Sequence, residues 1–264
     1  MSWHLLTATA RGAAHAARGR PNQDAVRTAA AGGVQAVALA DGHGHEQHFR
    51  SEAGALLAVD AACTQVRRLA AGPVPELPRL VVEHWRAAVA GHLAQQPYSA
   101  EELASIADGD AGSTVPYGST LLLAAVAPPW LLCLQLGDGD ALLVRPDGSA
   151  RSPVPGDALL DGRRTTSLCQ PDAVDSARLG LVDLREEEVA LVLLATDGYG
   201  NAQTEEHWQP QVGADLAAFA AECEPAWFAE QLPLWAQLCA SGAGSGDDTS
   251  IGLLLHEGGR PWTR

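Results

Sequence analysis

Residues Val34 to Gly44 read VQAVALADGHG. A run of small and apolar residues, interrupted only by Gln35, leads straight into Asp41-Gly42-His43-Gly44. This predicts a buried strand that ends in a carboxylate, a bend and an imidazole. A strand packed on both faces is a rigid support, so a ligand at its tip is held with little freedom to relax. The same device recurs in Val189 to Gly198, VALVLLATDG, and in Trp130 to Gly139, WLLCLQLGDG. Gly244 to Ser250, GSGDDTS, leads into a further apolar run, Ile251 to Leu255. Asp-Gly suits the positive φ of a tight turn, and Asp147-Gly148 is read as nothing more. At the other sites, aspartates at the ends of three apolar strands can converge on a cation.

The totals limit the function classes. A chain of 264 residues with 47% hydrophobic content and seven tryptophans builds a large core, and its simplest organisation is one domain, 1–264. Alanine supplies much of the apolar content, so the helices are expected to pack through small side chains. The formal charge of -15 lacks the basic footprint that nucleic acid or an anionic membrane needs. A phosphorylated substrate would be repelled at long range unless bound cations inverted the local sign. The five cysteines show no CxxC spacing and read as reduced and mostly buried. The start has neither a signal peptide's basic head nor its apolar segment, and no run is long enough to span a membrane. The expected location is cytoplasmic.

Along the chain, Trp3 to Ala10 reads as a strand and Arg11 to Arg27 as a loop containing Pro21-Asn22-Gln23-Asp24. After the Val34 strand, helical spacing runs from about Gln47 to Leu69 and from Pro78 to about Gln96. Ser99 with Glu102 three residues on predicts a capping box. From Tyr117 to the turn at Asp147, short apolar runs predict an antiparallel meander. Residues 152–177 read as a long surface excursion, then strands from Arg178 and Glu188, two helices from about Val212, and a last strand. Blocks of strands and helices argue for an α+β fold, not a doubly wound sheet.

Aspartates without paired thiols or histidines select hard cations, Mg²⁺ or Mn²⁺, over zinc. HExxH, the Walker lysine loop and Gly-x-Ser-x-Gly are absent, so metalloprotease, P-loop and serine-hydrolase readings lack their parts. Asp41 with a neighbouring carbonyl can bridge two ions, which together lower the pKa of a water and neutralise an in-line phosphoryl displacement. The predicted chemistry is metal-assisted phosphoester hydrolysis.

The ordered series PNQD, ADGHG, YGST, LGDGD, ATDGYGN and GSGDDTS, from about Arg11 to Leu255, resembles the PP2C (PPM) family of metal-dependent Ser/Thr protein phosphatases. It looks most like the compact bacterial branch, where a loop with a histidine, here His15, precedes the QD pair. The resemblance implies an α-β-β-α sandwich, two antiparallel sheets flanked by helices, with two Mn²⁺ or Mg²⁺ ions at one edge and a third in some members. Asp41 would bridge both ions, the Gly42 carbonyl would bind the second, and Asp197 with Asp247 would hold the first. Asp24 would complete the cluster mostly through water, and Asp138 would serve the third ion.

His43 stands where some members place the acid that protonates the leaving alkoxide, a role suited to an imidazole near its ordinary pKa. Its other reading is a hydrogen-bonding turn residue. Gln23 replaces the Glu of the MED or NED motif, and Gly19 occupies the position of the phosphate-clamping Arg, leaving Arg18 or Arg20 to bind phosphate. His15, His45 and His48 are read as surface or supporting residues, Asp248 as a turn cap, and Trp85, Trp227 and Trp235 as packing. Residues 152–177 correspond to the family's variable flap. The implied partners are a phosphorylated protein and a cognate Ser/Thr kinase, with the chain acting as a monomer. A silent PP2C-like module that binds a phosphoprotein or kinase is the alternative, and the acidic surface disfavours a dimetal nuclease.

Overall fold

The computed structural model describes residues 3–157 and 165–257. Two five-stranded antiparallel sheets face each other. One contains β1 (Trp3–Ala10), β6 (Asp140–Val144), β7 (Ala150–Arg151), β9 (Leu191–Ala195) and β10 (Thr249–His256), in the order β1-β10-β9-β6-β7. The other contains β2 (Asp24–Ala31), β3 (Val34–Asp41), β4 (Leu121–Ala127), β5 (Trp130–Leu136) and β8 (Arg178–Asp183), in that order. The helices α2 (Ser51–Gln65) and α3 (Leu77–Gln95) cover the second sheet, and α7 (Gln209–Glu222) and α8 (Pro225–Ala240) cover the first. Short helices α1 (Ala13–Ala17), α4 (Ala100–Ser105), α5 (Ala173–Ser176) and α6 (Asp197–Gly200) lie in the connections. The expected α-β-β-α sandwich is what the chain forms.

Strand periodicity explains the layering. Alternate side chains point to opposite faces of a strand, so a strand between a helix layer and another sheet is apolar throughout. In β3, Val37 and Leu39 enter the inter-sheet core while Ala36, Ala38 and Ala40 face the helix layer. In β9, Val192 and Leu194 face inward, and Leu191 and Leu193 face α7 and α8. Small residues on the outer side of β3 share a core with Ala55, Ala58, Ala61 and Ala62 of α2, all buried. Trp85 fills this layer and donates from Nε1 to the Gly54 carbonyl at 3.0 Å. Trp227 and Trp235 pack with Phe219 between α7 and α8.

Three expectations need correction. The stretch expected to loop from Arg11 to Arg27 contains α1 and the start of β2, which pairs with β3 through the Gly32-Gly33 turn. Its outward half, Arg27 to Ala31, is largely exposed and carries little apolar alternation. The meander is broken: β4 and β5 form a hairpin, but β6 crosses to the other sheet at Gly137-Asp138-Gly139. The excursion 152–177 is not wholly superficial, since Val154, Leu168 and Ala173 are buried; its residues 158–164 lie outside the described residues.

Other details follow the sequence. The capping box at Ser99 and Glu102 is present, and Asp147 Oδ1 accepts from Ser149 N at 2.9 Å in the turn before β7. All five cysteines are free. Among the described residues no helix is long and apolar enough to cross a membrane.

The helix contact at Gly54 is testable. A Cβ there would lie 1.9 Å from the Tyr117 carbonyl oxygen, whereas one at Gly91 in α3 would meet nothing within 4 Å. Gly54→Ala should lower the denaturation midpoint by an amount equivalent to about 2 kcal/mol or more. Gly91→Ala should raise stability by roughly 0.5–1 kcal/mol.

Candidate active site

Strand ends from both sheets meet at one edge of the sandwich. Asp24 and Asp41 are direct partners in the last register of the β2–β3 hairpin, so they project to the same side. Thr196 N donates to Ser250 O at 3.0 Å, which sets Asp197, just past β9, beside the Asp247-Asp248 turn before β10. Asp138 sits where the chain crosses from β5 to β6. Two glycines permit this crowding. A Cβ at Gly42 would lie 2.7 Å from the carbonyls of Gln23 and Ser51, and one at Gly198 would lie 2.1 Å from the Asp248 carbonyl.

Asp41, Asp138, Asp197 and Asp247 line a single cleft of about 690 Å³ with Gly42, and Asp138 and Asp197 also line a neighbouring one of about 520 Å³. The three sequence motifs and the crossover therefore do converge. Crowding is visible in the acidities. Burial first, then Asp24, Asp197, Asp247 and Asp138, hold the Asp41 carboxyl well above its ordinary range. Burial with Asp138 and Asp247 pushes Asp197 up to about 6, despite its contact with Asp41.

Asp24 stands behind the cleft wall, only 8% exposed. Burial pushes it up to about 8, against hydrogen bonds from Ser250 and Thr196. Its Oδ2 accepts from Thr196 Oγ1 at 2.9 Å, while its Oδ1 is buried without a partner. Thr120 holds Asp41 through the backbone instead, its Oγ1 accepting from Asp41 N at 3.0 Å.

Of the surface or supporting roles expected of the histidines, burial excludes the surface one for His15 and His48, and His15, His43, His45 and His48 all line the main cleft. His43 and His48 lie with ring centroids 4.8 Å apart, and His48 Nδ1 meets the Val115 carbonyl at 2.6 Å. Burial, aided by His48, lowers His43 to about 4. The imidazole is thus not near its ordinary pKa; it is neutral at pH 7 in this state. Asp248 is more than a cap. At 3% exposed, it accepts from Gly12 N at 2.7 Å, Gln23 N at 2.6 Å and His15 Nδ1 at 2.7 Å. It fastens the 11–23 loop to β10, which its chain position alone did not reveal; the clue was a second aspartate beside a glycine-rich turn.

Of the two arginines expected to bind phosphate, Arg20 donates from Nη1 to the Gly44 carbonyl at 2.6 Å, at the cleft rim, while Arg18 is exposed. Gln23 donates from Nε2 to Ser51 Oγ at 2.5 Å, and its Oε1 is buried without a partner. The excursion after β7 supplies the opposite wall through Thr165, Ser167, Cys169, Gln170 and Pro171. Arg86 holds it by donating to the Gln170 and Pro171 carbonyls at 2.8 and 3.2 Å. Arg178 reaches Pro155 O and Gly137 O, and Gly137 N donates to Thr166 Oγ1 at 2.9 Å, so this wall is tied to the Asp138 turn.

The donor set fits a hard divalent cation: carboxylate oxygens, a partnerless Asp24 oxygen and mutual repulsion that positive charge would relieve. Among the described residues no three His, Cys, Asp or Glu side chains close on one point. Carbonyl oxygens and water would have to complete the shell of any ion, as hard cations allow.

A search of curated proteins returns no match. Solved structures share the fold at low identity. The S. agalactiae serine/threonine phosphatase is 17% identical with a TM-score of 0.65, covering 97% of this chain and 100% of that one. The catalytic domain of the serine/threonine protein phosphatase PstP, in complex with 2 manganese ions, is 19% identical with a TM-score of 0.59 over 96% and 97%. A C. elegans sex determining protein is 17% identical with a TM-score of 0.64, covering 99% of this chain, which spans 66% of that one. A sequence profile described as protein phosphatase 2C matches residues 11–235, and with it the chain belongs to the protein phosphatase 2C family.

Proposed function

We propose that this chain, acting over 1–264 as one catalytic domain, is an active phosphatase that hydrolyses phosphoserine and phosphothreonine in proteins with Mn²⁺ or Mg²⁺. The observation that carries this reading is the cleft shared by Asp41, Asp138, Asp197 and Asp247. Two bound divalent ions, with a third at Asp138, would supply charge neutralisation and a water of lowered pKa. Asp41 would bridge the pair, Asp197 and Asp247 would hold one ion, and the Gly42 carbonyl the other, with Asp24 behind them through water.

Arg20 is the better candidate to grip the substrate phosphate, because its guanidinium already lies at Gly44 and Arg18 points to solvent. His43 would protonate the leaving alkoxide. Its depressed pKa ties that role to the substrate, since a phosphate dianion beside the ring favours the imidazolium. The substrate would come from a Ser/Thr kinase. Free cysteines suit a reducing compartment such as the cytoplasm, where the chain would act as a monomer. The silent-module reading draws on Gln23 and on Gly19 in place of the clamp, and it requires weak metal binding.

Hydrolysis of p-nitrophenyl phosphate should depend on Mn²⁺, and Asp41→Asn should reduce kcat by about a hundredfold or more. Turnover without metal, or an unaffected variant, would reject the reading. His43→Gln should cost more on a phosphoserine peptide than on p-nitrophenyl phosphate, whose good leaving group needs little protonation, with a loss of about 10²-fold or more on the peptide.

The carboxylates also predict a pH trend. Asp24, at about 8 when folded against an ordinary 3.8, holds a proton that the unfolded chain releases across that interval, and Asp197 acts likewise up to about 6. The native state binds more protons there, so stability of the metal-free protein falls as pH rises from about 4 to about 8. Thermal melts should show this decline. Asp24→Asn should flatten it, and Mn²⁺ should raise Tm more at pH 8 than at pH 5.

A further inference from the structure

His15 occupies a costly position that the proposed chemistry has not used. The ring is 8% exposed, yet it borders the carboxylate cleft. Its backbone is clamped: Ala14 N donates to Gly246 O at 2.9 Å, and a Cβ at Gly12 would lie 2.4 Å from Asp247 C, so only glycine permits so close an approach to the turn before β10. The ring is clamped too. Nδ1 lies 2.7 Å from Asp248 Oδ2, and that carboxylate is itself fixed by the Gly12 and Gln23 amides.

When a metal takes Nε2, the acceptor at Nδ1 holds the ring's remaining proton there, so Asp248 orients the ring for ligation through Nε2. Nε2 faces Asp247 Oδ1 at 3.6 Å. That separation is too long for a hydrogen bond. It does suit two donors that share one ion: bonds of about 2.1 Å at angles between 90° and 120° set donors roughly 3.0–3.6 Å apart. A carboxylate behind the imidazole is the usual support of a histidine that ligates a metal.

We infer that His15 is a nitrogen ligand, through Nε2, of the ion held by Asp247, with Asp248 as its orienting partner. The inference rests on the proposed metal-dependent reading of the same cleft. It gives the centre a mixed nitrogen and oxygen shell, and imidazole favours Mn²⁺ over Mg²⁺ where carboxylate and water do not.

The test uses the full chain, stripped of metal by chelation. Calorimetric titrations with Mn²⁺ and with Mg²⁺ compare the wild type with His15→Asn, whose amide can keep the bond to Asp248 while lacking Nε2. The variant should lose about tenfold or more in Mn²⁺ affinity and far less in Mg²⁺ affinity. Pulsed electron paramagnetic resonance of the Mn²⁺-loaded wild type, grown with ¹⁵N-histidine, should show a histidine nitrogen coupled to the ion. This measurement holds even if the variant fails to fold.

Absence of that coupling, or an unchanged Mn²⁺ to Mg²⁺ ratio in a folded variant, overturns the inference. The two readings fail separately. Nitrogen coupling without hydrolysis of p-nitrophenyl phosphate leaves His15 a ligand and removes the phosphatase, whereas metal-dependent hydrolysis without the coupling does the reverse.

Discussion

Repulsion among crowded carboxylates is the constraint around which the cleft edge is built. Asp24 and Asp41 face each other across a hairpin, and Asp197 touches Asp41 with Asp138 and Asp247 close enough to raise its pKa. Side chains free to move would spread apart. Here Asp41, Asp138, Asp197 and Asp247 are mounted at or next to the ends of strands buried on both faces, and Asp24 is held by its ladder to β3, so the apolar core on either side of β3 and β9 holds the charges together. The hydrophobic effect thus maintains an electrostatic conflict, in which burial is the leading cause of each raised pKa. A cation is the group that would remove the conflict without dismantling the strands.

Much of this was legible in the sequence because both signals are local. Continuous apolar runs named β3, β5, β9 and β10, and Asp-Gly after such a run named the tips that meet in the cleft. What escaped the sequence depends on pairing across the fold. The exposed half of β2 is defined by its ladder to β3 and not by its own pattern. The change of sheet between β5 and β6 leaves no compositional mark, since both strands remain apolar and only Gly137, at φ 104, betrays the bend. Asp248 and His15 are 233 residues apart in sequence, and no periodicity can announce that the one locks the other.

That lock alters how the loop before β2 is understood. Its glycines and alanines suggest freedom, and its polar residues suggest solvent. Yet Asp248 gathers two backbone amides and an imidazole from it, while Arg20 and Gln23 reach Gly44 and Ser51. Small residues there allow close approach to the β10 turn, so the composition serves packing more than flexibility. The opposite wall is fastened by comparable means, with Arg86 and Arg178 gripping carbonyls. Both sides of the cleft are therefore tied to the strands that carry the aspartates.

The proposed reaction would require an acidic protein to bind an anionic substrate. Among the described residues no arginine lines the cleft, Arg20 standing at its rim, and burial lowers the pKa of both His43 and His48. A phosphate entering the metal-free cleft would meet the carboxylates of Asp41, Asp138, Asp197 and Asp247, a field that opposes it and that Arg20 at the rim offsets only in part. Once divalent charge sits among the aspartates, the same geometry attracts the anion, and an anion held there would in turn draw a proton onto His43. In the proposed reaction, metal, substrate and proton would then be ordered by charge, each arrival creating the field that the next requires.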